Sequence, residues 1–136
     1  MLMTACSGQA PLKPTSGSLY NQLGRMDGID ATVERFIFAS VRNETLKPAF
    51  NGMSVFDYFR LKYNFVQQMC EIAGGPCRYT GRSMIDSHKG LHITLEQFIE
   101  SGRLFDEAMK KNGVGNKARQ AMLQRLGPMQ NEIVGQ

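Results

Sequence analysis

The side chains of this chain best suited to metal, redox or nucleophilic chemistry are few: two histidines, His88 and His92, and three cysteines, Cys6, Cys70 and Cys77. The histidines stand four residues apart, a spacing that on an unbroken helix puts both on one face and suits zinc or nickel. Gly90 lies between them, and a helix-start signal, Thr94 with Gln97, follows. One continuous helix carrying both is therefore not expected. The nearest third ligand, Asp86, falls elsewhere on a helical wheel. His88 is the stronger candidate because it closes the run Tyr79-Thr80-Gly81-Arg82-Ser83-Met84-Ile85-Asp86-Ser87-His88. An imidazole on a short helix backed by apolar residues is what an iron centre in an apolar pocket needs as a ligand. His92 reads as a neutral residue at the edge of such a pocket or on the surface.

The cysteines form no C-x-x-C pair, so neither a zinc site nor a thioether attachment is signalled. Cys70 and Cys77 flank the turn Gly74-Gly75-Pro76. Cys70 reads as a buried structural thiol rather than a nucleophile partnered by His88, and in an oxidising compartment the two could pair. Cys6 follows Met3-Thr4-Ala5 and precedes a stretch rich in Pro, Ser and Gly. That arrangement resembles the end of a bacterial lipoprotein signal followed by a tether. Residues 1–17 are accordingly expected to be a disordered tail and residues 18–136 a folded domain. A lipid on Cys6 would place the protein in the periplasm or at a membrane; without it the expectation is cytoplasmic.

With 136 residues, 42% of them hydrophobic and 21% charged, the chain suits one domain with its own core. The net charge of +4 is dispersed, with no basic stripe interleaved with aromatics, which argues against nucleic acid. No apolar run is long enough to cross a membrane. Nine Met and eight Phe without Trp suit a pocket around a flat apolar ligand as well as they suit plain core filling. Phosphate-binding glycine loops, G-x-S-x-G elbows and H-E-x-x-H motifs are all missing from the sequence.

The elements that must hold His88 read as helical throughout. Ser18 caps a short turn over Leu19–Leu23, and Asp27 caps a second helix carrying Ile29, Val33, Phe36, Ile37 and Val41 at helical spacing. Asn43 to Phe50 reads as a tight turn broken by Pro48. Ser54 opens a long helix with Tyr58, Leu61, Phe65, Met69 and Ile72 on one face, ending at Gly74-Gly75-Pro76. A short helix precedes His88, and Thr94 with Gln97 boxes the start of a helix that ends near Asn112-Gly113. A last helix is expected from Asn116 to Val134, with Ala118, Met122, Leu126, Met129 and Ile133 inward. Strand-like alternation is not convincing anywhere, so the fold class is all-α.

Several of these segments occur together, in order, in one family. The run from Tyr79 to Thr94, the opening Ser18-Leu19-Tyr20-Asn21-Gln22-Leu23-Gly24, the helix from Ile29 to Phe36, the stop Gly74-Gly75-Pro76 and Ile93-Thr94 with Phe98 resemble the group I truncated haemoglobins. The resemblance spans about residues 18 to 134 and implies a two-over-two helical sandwich. It further implies one haem b whose iron is bound by His88, with Phe36, Phe50, Leu61, Phe65, Met84, Ile93 and Phe98 against the porphyrin.

On the opposite, distal side the resemblance assigns Ile37, Phe65 and Met69. Ile37 stands where the family usually carries Tyr, and Phe65 where a Gln often helps. Both usual donors to dioxygen are thus replaced. The segment between Phe50 and Phe65 is about three residues longer than in the family, so Tyr58, Tyr63, Gln67 or Gln68 could fill the polar role. The family's Gly-Gly turn is reduced to Gly24-Arg25. The implied function is reversible binding of dioxygen, nitric oxide or carbon monoxide by a monomer. Nitric oxide dioxygenation, seen in some members, would need a reductase partner. A membrane-tethered haem sensor or electron-transfer module is the alternative, and a globin-shaped protein that has lost haem is a third.

Overall fold

The computed structural model describes residues 17–136. The tail expected over 1–17 (Gly17 apart) and the anchor at Cys6 lie outside the described residues. Seven α-helices follow in order: α1 Leu19–Gln22, α2 Arg25–Ser40, α3 Val55–Ile72, α4 Met84–His88, α5 Leu95–Lys111, α6 Asn116–Leu126 and α7 Gln130–Ile133. Two 3₁₀ turns, Lys47–Phe50 and Gly127–Met129, interrupt them. No strand occurs among the described residues.

The helix starts are set by side chains that satisfy orphan backbone N–H groups. Ser18 accepts from the Asn21 N–H at 3.3 Å at the head of α1. Ser54 and Asp57 form a reciprocal capping box on α3, and Thr94 and Gln97 form one on α5. At α3, hydrogen bonds from the Ser54 hydroxyl and backbone, with Arg60 beyond them, pull the Asp57 carboxyl down to about 2.

Two boundaries differ from the sequence reading. α2 begins at Arg25, so Asp27 is not its cap but lies in its first turn, where a negative charge meets the positive end of the helix dipole. Gly24 is the cap, in the left-handed region at φ 88°, and Arg25 beside it is left-handed too, at φ 58°. Arg25, at the position where the resemblance leads one to expect a second glycine, thus adopts a left-handed backbone at a steric cost, partly offset by its Nε donating to Asn21 Oδ1 at 3.1 Å. The last helix is also not continuous. Pro128 has no N–H to donate, and its ring crowds the carbonyl one turn back, so α6 stops at Leu126 and the chain turns before α7.

The long helices form two layers, α2 packed on α3 and α5 packed on α6, with α2 also lying against α5. Phe36 on α2, Phe65 on α3 and Phe105 on α5 meet in one aromatic knot, with ring centroids 5.4 to 5.9 Å apart. Around it Ile29, Val33, Ile37, Met69, Cys70, Met109 and Met122 are sealed from solvent. The polar groups caught inside are satisfied. Asn112 Nδ2 donates to Thr32 Oγ1 at 2.9 Å and Ser40 Oγ donates to the Phe36 carbonyl at 2.7 Å. Arg119 ties the turn between α5 and α6 by donating to Asp106 Oδ1 and to the Val114 carbonyl.

Cys70 near the end of α3 is bonded to Cys77, with Cα atoms 5.7 Å apart. Cys70 is therefore buried as read from sequence, but as half of a disulfide rather than as a thiol.

Because Arg25 occupies a left-handed position, Arg25→Gly should raise Tm by about 2 °C, and Arg25→Val, with its branched Cβ, should lower it by several degrees. Thermal unfolding followed by circular dichroism checks both signs; a Gly variant less stable than the parent would show that the bond to Asn21 outweighs the backbone strain.

Candidate functional site

α4 has only five residues, too few to persist by helix propensity alone. Its neighbours hold it. Ser83 caps it by accepting from the Asp86 N–H at 3.1 Å, and Ser87 Oγ donates to the Ser83 carbonyl at 2.7 Å. On one side it packs against α7. Beyond it, Gly135 N–H donates to the Ile93 carbonyl and His92 N–H to the Gln136 carbonyl, each at 2.9 Å. The segment leading into it is pinned as well: Tyr79 Oη donates to the Arg82 carbonyl at 2.6 Å, and the Tyr79 N–H donates to the Glu71 carboxylate. Further back, a Cβ at Gly75 would lie 2.6 Å from Cys70 Sγ and 2.5 Å from the Tyr20 ring, so only glycine fits that close approach.

His88 ends α4 and is half-buried. Its Nδ1 lies 2.8 Å from the Met84 carbonyl oxygen. A carbonyl only accepts, so Nδ1 carries the proton and the lone pair of the neutral ring is on Nε2. This is the tautomer that an imidazole metal ligand needs, with the ring direction fixed by its second nitrogen. His92 is not on the same face. The chain leaves the helical region at Lys89, and His92 is exposed with a left-handed φ of 50°. No group of three His, Cys, Asp or Glu positioned to hold a metal ion occurs among the described residues.

The apolar candidates divide into three sets. Phe36, Leu61 and Phe65 are half-buried and pack on the main core while keeping part of their surface outside it. Phe50, Met84 and Phe98 are also half-buried but stand apart from that core, and Ile93, with 8% of its surface exposed, is buried apart from it too. Ile37 and Met69, assigned to the distal side, are each 1% exposed and lie within the core. Of the three distal residues, Phe65 alone keeps partial exposure.

The four polar alternatives separate in the same way. Tyr63 is 64% exposed, and Tyr58 stacks edge-on against Phe59 with centroids 5.4 Å apart. Gln67 is half-buried. Gln68 is buried, and its Nε2 donates to Met84 Sδ at 3.4 Å, linking α3 to α4. Sequence reasoning missed that link and the role of α7; the signal for the latter was Pro128, which frees α7 to turn toward α4. A surface groove of ≈ 370 Å³ bounded by Thr45, Leu95, Glu96, Ile99 and Glu100 is lined by none of the candidate site residues.

Residues 18–134 match the family described as bacterial-like globin. A group 1 truncated hemoglobin, GlbN of Mycolicibacterium paratuberculosis, is 30% identical over 122 residues, covering 89% of this chain and 87% of that protein. The fold is similar to that of the truncated hemoglobin of Tetrahymena pyriformis in its Fe(III) form, with a TM-score of 0.82 at 20% identity over 88% of this chain and all of that one. It also resembles the 2/2 hemoglobin of Synechococcus, solved in the cyanomet state with covalently attached heme, with a TM-score of 0.74 at 22% identity over 85% of this chain and 95% of that one. The layered helices of this chain are thus those of a two-over-two globin. The chain belongs to the bacterial-like globin family.

The two backbone bonds from Gly135 and Gln136 secure the segment that follows His88. Removing residues 134–136 should cost about 1–3 kcal/mol locally and speed amide exchange at Leu91 and His92 by roughly ten-fold or more, with α2 and α3 unaffected. Hydrogen exchange read residue by residue tests this, and unchanged rates at Leu91 would mean that packing on α7 alone holds the segment.

Proposed function

We propose that this globin binds one haem b, with its iron held by His88 Nε2, and takes up small diatomic gases reversibly. The observation that carries the reading is the hydrogen bond between His88 Nδ1 and the Met84 carbonyl, which leaves Nε2 as the free donor on a half-buried ring. The residues present fit the group. Phe36, Leu61 and Phe65 offer apolar surface on the core side, and Phe50, Met84, Ile93 and Phe98 offer it apart from the core. Support also comes from the relatives, which are named as hemoglobins, and from the heme carried by the Synechococcus protein.

When bound, the haem supplies an iron that accepts dioxygen, nitric oxide or carbon monoxide. The chain's own residues would do the rest: His88 Nε2 would hold the iron, and the aromatic and aliphatic side chains would exclude water. Ile37 and Phe65 donate no hydrogen bond, and the Gln68 amide is engaged by Met84. A pocket in which both usual donor positions are apolar favours ligand exchange over sustained chemistry on dioxygen. The reading is therefore a gas-binding protein, and keeping its iron ferrous would fall to an external reductant.

His88→Ala should abolish stable haem retention, because only apolar burial would remain to hold the porphyrin. Absorption of the ferric and the reduced protein, with and without carbon monoxide, checks this. A variant with the parent's spectrum and haem affinity would exclude His88 as the ligand.

Dioxygen release should be fast, since a charge-assisted hydrogen bond of roughly 1.5–3 kcal/mol is missing. Ile37 is enclosed by the core, so a donor is better installed at half-buried Phe65. Phe65→Gln, with circular dichroism confirming that the helices survive loss of this ring from the knot with Phe36 and Phe105, should slow dioxygen release about ten-fold or more while changing carbon monoxide release less. Stopped-flow displacement measures both rates. Slow dioxygen release in the parent protein would show that a polar group already reaches the ligand.

A further inference from the structure

Three sulfur atoms from three separate segments converge against the main core. Cys70 lies on α3 with no exposed surface, Cys77 on the loop after Pro76, and Met26 in the first two turns of α2. Cys77 Sγ is bonded to Cys70 and stands 3.3 Å from Met26 Sδ. Oxidised, the trio is a disulfide with a thioether packed against it. Reduced, it becomes two thiols and a thioether gathered in one partly buried place. Thiolate and thioether sulfur are the soft donors that select copper(I), an ion content with three ligands and no open position.

The site is built rather than incidental. The left-handed pair Gly24 and Arg25 sets the start of α2 and hence the placement of Met26. Gly75, which admits no Cβ between Cys70 Sγ and the Tyr20 ring, fixes the path of the loop to Cys77. The Tyr20 N–H donates to the Ala73 carbonyl at 3.0 Å and holds α1 against the end of α3. Constraints other than the sulfur–sulfur bond thus hold the donors together, so opening the disulfide leaves them near one another.

We propose that Cys70, Cys77 and Met26 form a redox-gated copper(I) site, closed when the cysteines are bonded and open to the metal when they are reduced. The chemistry balances in two steps. A dithiol reductant transfers two electrons and two protons to the disulfide and becomes a disulfide itself, leaving Cys70 and Cys77 as thiols. Copper(I) then displaces both thiol protons to solvent and gains two sulfur–copper bonds, the Met26 thioether supplying the third. Zinc(II), which prefers four ligands and gains little from a thioether, fits poorly.

The test uses the full-length, haem-loaded protein carrying Cys6→Ser, so that the thiol at that position does not contribute. The oxidised and the dithiol-reduced forms are dialysed anaerobically against copper(I) buffered by a chelator, and bound copper and iron are measured together. The reduced protein should hold one copper(I) per chain, and the oxidised protein none. Met26→Leu, which conserves bulk and leaves the disulfide intact, should weaken binding at least about ten-fold. Cys77→Ser should reduce it to background, with the haem spectrum and helical dichroism of each variant confirming the fold. Three results would each overturn the proposal: equal copper uptake by the oxidised protein, full affinity in Met26→Leu, or no uptake by the reduced parent.

Discussion

The contact among Phe36, Phe65 and Phe105 is the constraint on which the rest of the molecule depends. It joins one ring from each of α2, α3 and α5, and such aromatic pairs contribute roughly 0.5–1.5 kcal/mol apiece beyond the area they bury. Once those helices are locked together, the register of α3 places Gln68 and Cys70, and that of α5 places Phe98 and the preceding Ile93. Phe36 and Phe65 are only half-buried, so each packs on the core while keeping part of its surface outside it, available to the proposed haem. The porphyrin would thereby complete a core that the chain leaves unfinished, and binding it would stabilise the fold by mass action.

Much of this was legible in the sequence. Ser54, and Thr94 with its box to Gln97, announced the starts of the two longest helices, because the signal is a side chain answering a specific backbone N–H. The helical faces were legible too: Ile29, Val33, Ile37, Met69, Ala118 and Met122 recur at the right spacing and are buried. His88 was singled out from its local run, and the structure adds the orientation of its ring, which no spacing could give.

What escaped the sequence has a common cause: it depends on partners remote along the chain or on backbone angles. The start of α2 turns on Arg25 taking a conformation that residue type disfavours, so Asp27 looked like the better cap. The helix expected to run from Asn116 to Val134 was interrupted by a proline in plain view, outweighed by the apolar period around it. The link from Gln68 to Met84 joins two segments whose proximity only the fold creates. The Cys70–Cys77 bond needed the turn's actual path, which glycine at position 75 permits and spacing alone does not establish.

The break at Pro128 lets the helices on either side of it do different work. α6 belongs to the core through Ala118 and Met122, whereas α7, just beyond the break, faces α4 and the segment after His88. A continuous helix would couple these two tasks, since any rotation that suited one face would turn the other. With the proline between them, α7 takes its own direction, bracing α4 while it also rests on α5. The imino acid works as a joint between a helix committed to the core and one that braces the short helix of the histidine.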